Sequence, residues 1–303
     1  MSHPVSEAET SAQLRQGLYY GLSAYCMWGF FPAYYKLTDS VPADIVVSHR
    51  IVWSVLFVGL FLYFRGRWQE VVDAFRQPKV LKGLMTSAAF IGVNWLVFVW
   101  AIEQERVLDV SLGYFINPLV SILVGLIVLH ERLSRGQKAA VFIAAMAVLV
   151  QAVLAGGVPW VSLILAFSFA GYGYVRKVTP VNATPGMLVE TLLLFPFAAG
   201  FLVLSLGWGA DALVLDDLTV LAALVGTGIV TALPLVCFSA AARRLPLFML
   251  GLMQYIAPSM HFLMAVYIWG EPLDPTRLLT FAMIWGALVI FTFDSWNRNR
   301  AAS

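Results

Sequence analysis

The sequence predicts an all-α membrane protein whose ten transmembrane helices form two inverted five-helix repeats. Three observations carry that expectation. The 303 residues are 60% hydrophobic and only 12% charged, with a mean hydropathy of +0.82, well outside the range of soluble domains. Apolar runs of about 20 residues, enough to cross about 30 Å of hydrocarbon, recur from end to end. The segment LGYFINPLVSILVGLIVLHERL from Leu112 also aligns without a gap to LMQYIAPSMHFLMAVYIWGEPL from Leu252.

The apolar spans fall near residues 16–36, 44–64, 81–102, 108–130, 137–155, 158–178, 185–206, 217–240, 246–269 and 276–296. None alternates with period two, and open backbone cannot face lipid, so helices are the spanning form. Residues 1–15 and 297–303 read as cytoplasmic tails, 16–155 as the first repeat and 158–296 as the second. No small-residue cleavage site follows the first span, which therefore reads as a retained helix. Cys26 and Cys237 lie in separate apolar runs and read as small buried hydrophobes rather than a disulfide or metal pair.

The longest polar connection, FRGRWQEVVDAFRQPKVLKG, carries Arg65, Arg67, Arg76, Lys79 and Lys82, which places it on the cytoplasmic side. Alternation from that anchor puts fifteen of the nineteen Lys and Arg on the same side, with both termini. Only Lys36, Arg106 and Arg277 fall outside, where Glu103, Glu105, Asp109, Asp211, Asp216, Asp217, Glu271 and Asp274 collect. The expected location is a bacterial-type inner (plasma) membrane, crossed many times. Five helices is an odd number, so equivalent helices of the two repeats run in opposite directions. That arrangement suits alternating access around a site near the midplane.

His49 and Arg50 stand in the second span, within SHRIVWS. Arg50 lies seven residues, or about 10 Å, past the start of that helix. A guanidinium facing lipid at that depth costs at least about 2.5 kcal/mol, so it faces inward. Two roles are open to it: binding an anion or carboxylate, or capping carbonyls freed in a helix broken at Pro32. His49 is either a proton-linked group or a partner for a helix neighbour. An offset of 141, which matches Lys36 with Lys177, sets Glu190 opposite His49. Glu190 lies about 9 Å in from the other face, too far from Arg50 in depth for a direct ion pair. It is either a proton-coupling carboxyl or a packing residue. Asn94, Asn117 and Gln254, with Trp95, Tyr114 and Tyr255, complete the candidate substrate cavity, although amides also join helices. Pro32, Pro118 and Pro258 are candidate hinges, because each frees a carbonyl one turn earlier.

At these residues the chain also resembles a known family. NPLVSILVGLIVLHERLSRGQKAAVFIAAMAVLV is similar to the signature of EamA-type members of the drug/metabolite transporter superfamily. YYGLSAYCMWGFFPAYYK, SHRIVWS and NWLVFVWAIEQERVLDVSLGYFINPL resemble the RarD group, called chloramphenicol-sensitive proteins. The second half, with GEPLD in place of ERLS, is more diverged. The resemblance implies two inverted five-helix bundles around a cavity open to each side in turn.

Enzyme chemistry finds little support. HExxH, GxSxG and GxxxxGK motifs are missing from the sequence, and His3, His49, His130 and His261 are too scattered to suggest a metal site. Ser48 beside His49 is no catalytic pair, since adjacent helical residues point about 100° apart. No cofactor is implied. The expected function is secondary active transport of a small organic metabolite or amphipathic compound, with export first, uptake or exchange second and a multispanning enzyme far behind. The bilayer, a small-molecule substrate and a proton as candidate coupling ion are the expected partners.

Overall fold

The computed structural model describes residues 7–154, 156–207, 216–270 and 275–302. Among them there are no strands. The helices are α1 (Glu7–Gly29), α2 (Phe31–Tyr35), α3 (Ala43–Phe64), α4 (Trp68–Arg76), α5 (Pro78–Glu103), α6 (Val107–Ile127), α7 (Arg135–Leu154), α8 (Trp160–Val178), α9 (Ala183–Gly207), α10 (Leu218–Ala242), α11 (Leu247–Met253), α12 (Ile256–Tyr267) and α13 (Pro275–Ala302), with a 3-10 turn at Lys36–Thr38.

Seven stretches among the described residues are long and apolar enough to cross a membrane: α3, α5, α6, α7, α9, α10 and the α11–α12 pair. Their outward side chains include Leu96 at 71% and Phe197 at 78% exposure, a surface suited to lipid. Three expected spans fall short of that measure. The apolar part of α1 begins only at Gly17 and the helix stops at Gly29, α8 ends in Arg176 and Lys177, and the apolar part of α13 covers Leu278–Asp294. Helix also extends into both expected tails, since α1 starts at Glu7 and α13 runs to Ala302. Asp211, Glu271 and Asp274 lie outside the described residues, and of Arg277, Arg298 and Arg300 only the backbone is described.

The helices interleave rather than stacking in chain order. α3 packs on α9 and α10, α5 on α8 and α9, α6 on α8 and α11, α1 on α10 and α12, and α7 on α13. Small residues set the closest crossings, as expected where lipid supplies no hydrophobic drive between helices. A Cβ added at Gly228 of α10 would lie 2.5 Å from the Trp53 carbonyl carbon of α3, where Ser54 Oγ also donates to the Gly228 carbonyl at 3.0 Å. At Gly251 of α11 a Cβ would lie 2.7 Å from the Pro118 carbonyl oxygen of α6.

Helix ends are satisfied by side chains from other parts of the chain. Glu131, just past α6, accepts from the Leu247 and Phe248 amides at 2.7 and 3.0 Å, which sets a carboxylate on the positive end of α11. Lys177 of α8 donates to the Leu245 and Ala242 carbonyls, the negative end of α10. Its ammonium also lies 3.8 Å from Glu131. The turn between α10 and α11 is thus clamped from both directions by α6 and α8. At α7, Ser134 and Gln137 form a reciprocal cap, and Asp294 of α13 accepts from Ser134 Oγ.

The expected polar connection between residues 64 and 83 contains a helix, α4. Too polar and too short to span, it is amphipathic, burying Val71 and Ala74 and exposing Trp68 and Phe75. Glu70 fastens it. Arg67 donates to both Glu70 oxygens at 2.6 and 3.0 Å, Asn182 adds a bond at 2.7 Å, and Arg243 donates to the Val181 carbonyl and to Asn182.

The Arg67 hydrogen bonds, followed by the one from Asn182, hold the Glu70 carboxyl below its ordinary value. A carboxyl depressed on folding contributes its stabilisation above its unfolded pKa of about 4.3, and loses it as pH falls through the lower folded value. Glu70 is about one-third exposed, so the pair contributes less than about 1 kcal/mol. The docking of α4 should therefore loosen below about pH 4.3, read as a shift in the ¹⁹F resonance of a fluorotryptophan at position 68. Glu70→Gln should remove the titration; a Gln variant that titrates identically would disprove the assignment.

Candidate functional site

α3 carries Arg50 into a box of aromatic rings. Its guanidinium carbon stands 5.6 Å from the Tyr35 ring centroid and 5.0 Å from that of Trp95, both within cation–π range. Arg50 Nε donates to Thr231 Oγ1 of α10 at 2.9 Å. Its two terminal amino groups make no hydrogen bond among the described residues. Tyr114 of α6 lies within electrostatic reach of Arg50. The neighbouring Tyr34 ties this segment to α10, its hydroxyl donating to the Ala223 carbonyl at 2.6 Å.

His49 is buried beside Arg50, and its Nδ1 accepts from Trp53 Nε1 at 3.1 Å. The role of capping a carbonyl near Pro32 falls to a different side chain. Pro32 has no amide hydrogen for the Trp28 carbonyl one turn earlier, and His261 of α12 bonds that oxygen through Nε2 at 3.0 Å. Pro118 lies inside α6, where the carbonyl of Phe115 receives the Tyr255 hydroxyl at 3.2 Å. Pro258 stands in the first turn of α12, just past the Gln254–Tyr255 break.

Between the two breaks lies a small neutral polar cluster. Gln254 Nε2 donates to Ser121 Oγ at 3.0 Å, and Asn117 stands one turn before Ser121 on α6. Tyr25 of α1 presents its hydroxyl beside the Gln254 amide. Asn117 Oδ1 and Gln254 Oε1 are buried without a hydrogen-bond partner among the described residues, a costly condition that a ligand or water relieves. Asn117 is one turn from Tyr114, so the cluster continues from the Arg50 box along α6.

Glu190 belongs to another place. It is 1% exposed on α9, and the opposing Arg176 of α8 is 0% exposed. Arg176 Nη1 lies 3.5 Å from Glu190 Oε1, Ser87 of α5 donates to the same carboxylate oxygen, and the Tyr172 hydroxyl reaches the other at 3.4 Å. Arg176 Nε donates to Ser239 of α10 at 3.0 Å, and Nη2 to the Ala183 carbonyl at 3.1 Å. The guanidinium has room only because position 186 is glycine: a Cβ there would stand 2.2 Å from Nη1. Four helices thus converge on one buried ion pair.

The structure therefore brings together Arg50, Trp95 and Tyr114 in one box, with His49 beside it, and Asn117 with Gln254 in the cluster next to it. Tyr255 is spent on the Phe115 carbonyl, and Asn94 on the Leu165 carbonyl and Ser168 at 3.0 Å each; these two hold helices together. Glu190 stands apart, with the counterion that the sequence reading did not give it. Arg176 was missed because its place at the end of a span counts it among inside charges. The 141-residue offset carried a signal, since it sets Tyr35, which stacks on Arg50, opposite Arg176, which pairs with Glu190.

The EamA-like transporter family matches residues 15–152. Protein RarD of Salmonella typhi is 46% identical over 283 residues, covering 93% of this chain and 96% of that protein. An uncharacterized transporter of Vibrio cholerae is 42% identical over 292 residues, covering 95% of each. A solved protein crystal structure superposes with a TM-score of 0.70 at 17% identity, over 91% of this chain and 96% of that chain. At that identity the likeness concerns the fold alone.

The buried pair sets up a double-mutant cycle. Arg176→Met strands a buried carboxylate and should cost about 3–5 kcal/mol, as should Glu190→Met through the stranded guanidinium. The double variant removes both charges and should be less destabilised than either single one. Unfolding midpoints of the purified protein in detergent measure all four corners, and strictly additive losses would show that the two side chains are not coupled.

Proposed function

We propose that this chain, which belongs to the RarD group of EamA-type transporters in the drug/metabolite transporter superfamily, is a secondary active carrier. In this reading it exports a small organic metabolite bearing an anionic group. The observation that carries the reading is Arg50, whose Nε is held by Thr231 while both terminal amino groups remain available between Tyr35, Trp95 and Tyr114. A guanidinium so presented offers the bidentate fork that carboxylates and phosphates match. The rings supply stacking surface for the apolar part of the same molecule. Further along α6, the unmatched oxygens of Asn117 and Gln254 call for a hydrogen-bond donor, so the substrate carries one as well.

Two inverted five-helix repeats, residues 16–155 and 158–296, provide alternating access in this proposal. The helix packing supports it. Advancing each helix to its counterpart in the other half turns the α6–α8 contact into the α11/α12–α1 contact, α5–α8 into α10–α1, and α3–α10 into α9–α5, all of which occur. The pairs α3–α9, α6–α11 and α7–α13 map onto themselves. The chain sits in the inner membrane with both termini cytoplasmic, supported by the side bias of Lys and Arg. A proton is the coupling ion this chain offers. Neutralising Glu190 would release Arg176 from its partner, so proton binding and the separation of α8 from α9 would be one event.

The test of the substrate class is thermal stabilisation of purified protein by a panel of small organic acids set against their own amides and esters. Acids should stabilise and their neutral derivatives should not. Arg50→Ala should abolish the shift, and Arg50→Lys should restore little of it, because the planar fork is lost. Hits that survive in Arg50→Ala would sink this reading of the box. Orientation is tested by reporter fusions: one at Arg243 and one at the C-terminus should report cytoplasm, and one at Asp211 the opposite side. An external C-terminus is incompatible with the ten-span arrangement.

A further inference from the structure

Outside the central site, one groove on the flank of the bundle joins positive charge to an apolar wall. It lies where the start of α5 passes the end of α8, has a volume of about 410 Å³ and is lined by Lys79, Lys82, Gly83, Thr86, Val178 and Thr179, among others. It is shallow and open along one side. The floor is closed by direct helix contact, since a Cβ on Gly83 would lie 2.5 Å from Thr179 Oγ1. Lys79 and Lys82 are exposed, and neither has an ion pair among the described residues.

The position decides what kind of anion belongs there. Both lysines stand in the first two turns of a membrane-crossing helix, at the level of lipid headgroups rather than in open water. Pro78 opens α5, so the amides of its first turn add their positive end to the two ammonium groups. Beside the lysines the wall turns apolar, chiefly through the 49% exposed Val178, with the edge of the buried Val175 behind it. A phosphate alone would satisfy the lysines and leave that wall bare. A molecule with an anionic head and an acyl chain satisfies both, and basic pockets between membrane helices take such headgroups.

We propose that this groove is a binding site for an anionic phospholipid, its phosphate between Lys79 and Lys82 and its acyl chain along Val175 and Val178. Thr86 is the chain neighbour of Ser87, and Val175 that of Arg176, so the groove wall backs directly onto the buried Glu190 network. A lipid seated there fastens α5 to α8 at the level of that network, and its occupancy stabilises the arrangement in which Ser87 and Arg176 both reach Glu190. The site stands independently of the substrate reading.

The experiment uses the full chain in neutral detergent with three probes: phosphatidylglycerol, phosphatidylcholine with the same acyl chains, and inorganic phosphate. Phosphatidylglycerol should raise the unfolding temperature and remain bound in native mass spectrometry, and the other two should do neither. In Lys79→Gln/Lys82→Gln the lipid concentration giving the half-maximal shift should rise about tenfold or more. Arg15→Gln/Arg65→Gln, with equal charge removed from exposed positions elsewhere, should leave it unchanged. Thr86→Glu, which keeps both lysines and sets a carboxylate in the groove, should weaken the lipid as the lysine variant does. Equal stabilisation by phosphatidylcholine would mean acyl contact alone, and equal stabilisation by phosphate a free-anion site. Equal weakening in the two arginine and lysine pairs would mean diffuse charge attraction. Each of these three results overturns the proposal.

Discussion

A guanidinium and a carboxylate closed off from solvent, 3.5 Å apart, organise one end of this bundle. Burying either alone would cost several kcal/mol, so the fold must supply both, together with hydrogen bonds for their remaining polar atoms. It does so for most of them by drawing in Ser87 from α5, Tyr172 from α8, Ser239 from α10 and the Ala183 carbonyl from α9, while Arg176 Nη1 has only the ion-pair contact with Glu190 among the described residues. The demand reaches as far as the backbone. Gly186, one turn before Glu190, has to lack a side chain because the guanidinium occupies that space. Few degrees of freedom remain to four helices once this pair is made.

The Arg50 box is built from corresponding parts and comes out differently. A hydroxyl from a neighbouring helix holds the charged group in each case, Thr231 for Arg50 and Ser87 for Glu190. The residue 141 positions before Arg176 is Tyr35, which offers Arg50 a ring face and no countercharge. One cluster therefore holds its own countercharge. The other leaves the hydrogen-bonding ends of its cation uncommitted, and that imbalance is why Arg50 rather than Glu190 carries the substrate reading.

How much of this could be read from residues alone follows from what each feature depends on. Span positions were legible because hydrocarbon thickness imposes a length of about 20 residues whatever the packing, and α3, α5 and α9 begin and end within a few residues of expectation. Helix α4 was not, since Val71 and Ala74 are too few apolar positions to stand out among charges. The Arg50 box was half legible: depth marked the arginine, but its neighbours Tyr35 and Thr231 come from helices whose rotation only packing decides. Arg176 was hidden for the opposite reason. A count of cations by side looks only at rank along the chain, and a guanidinium at the end of a span scores alike whether it meets water or turns inward. His261 shows the same limit, as Pro32 announced an orphaned carbonyl without saying which helix would answer it.

The clamp at the turn between α10 and α11 has a mechanical consequence. Glu131 follows a helix of the first half and Lys177 ends one of the second, and between them they grip both helix ends of that turn. Two rods pinned near one end can separate only by tilting about the pin, with displacement growing along their length. While these bonds hold, the turn is a fixed point, and any tilt of the two helices moves their far ends most. Separating the helix ends at this turn means breaking the bonds from Glu131 to two backbone amides, so the energy of two charge-assisted hydrogen bonds resists it.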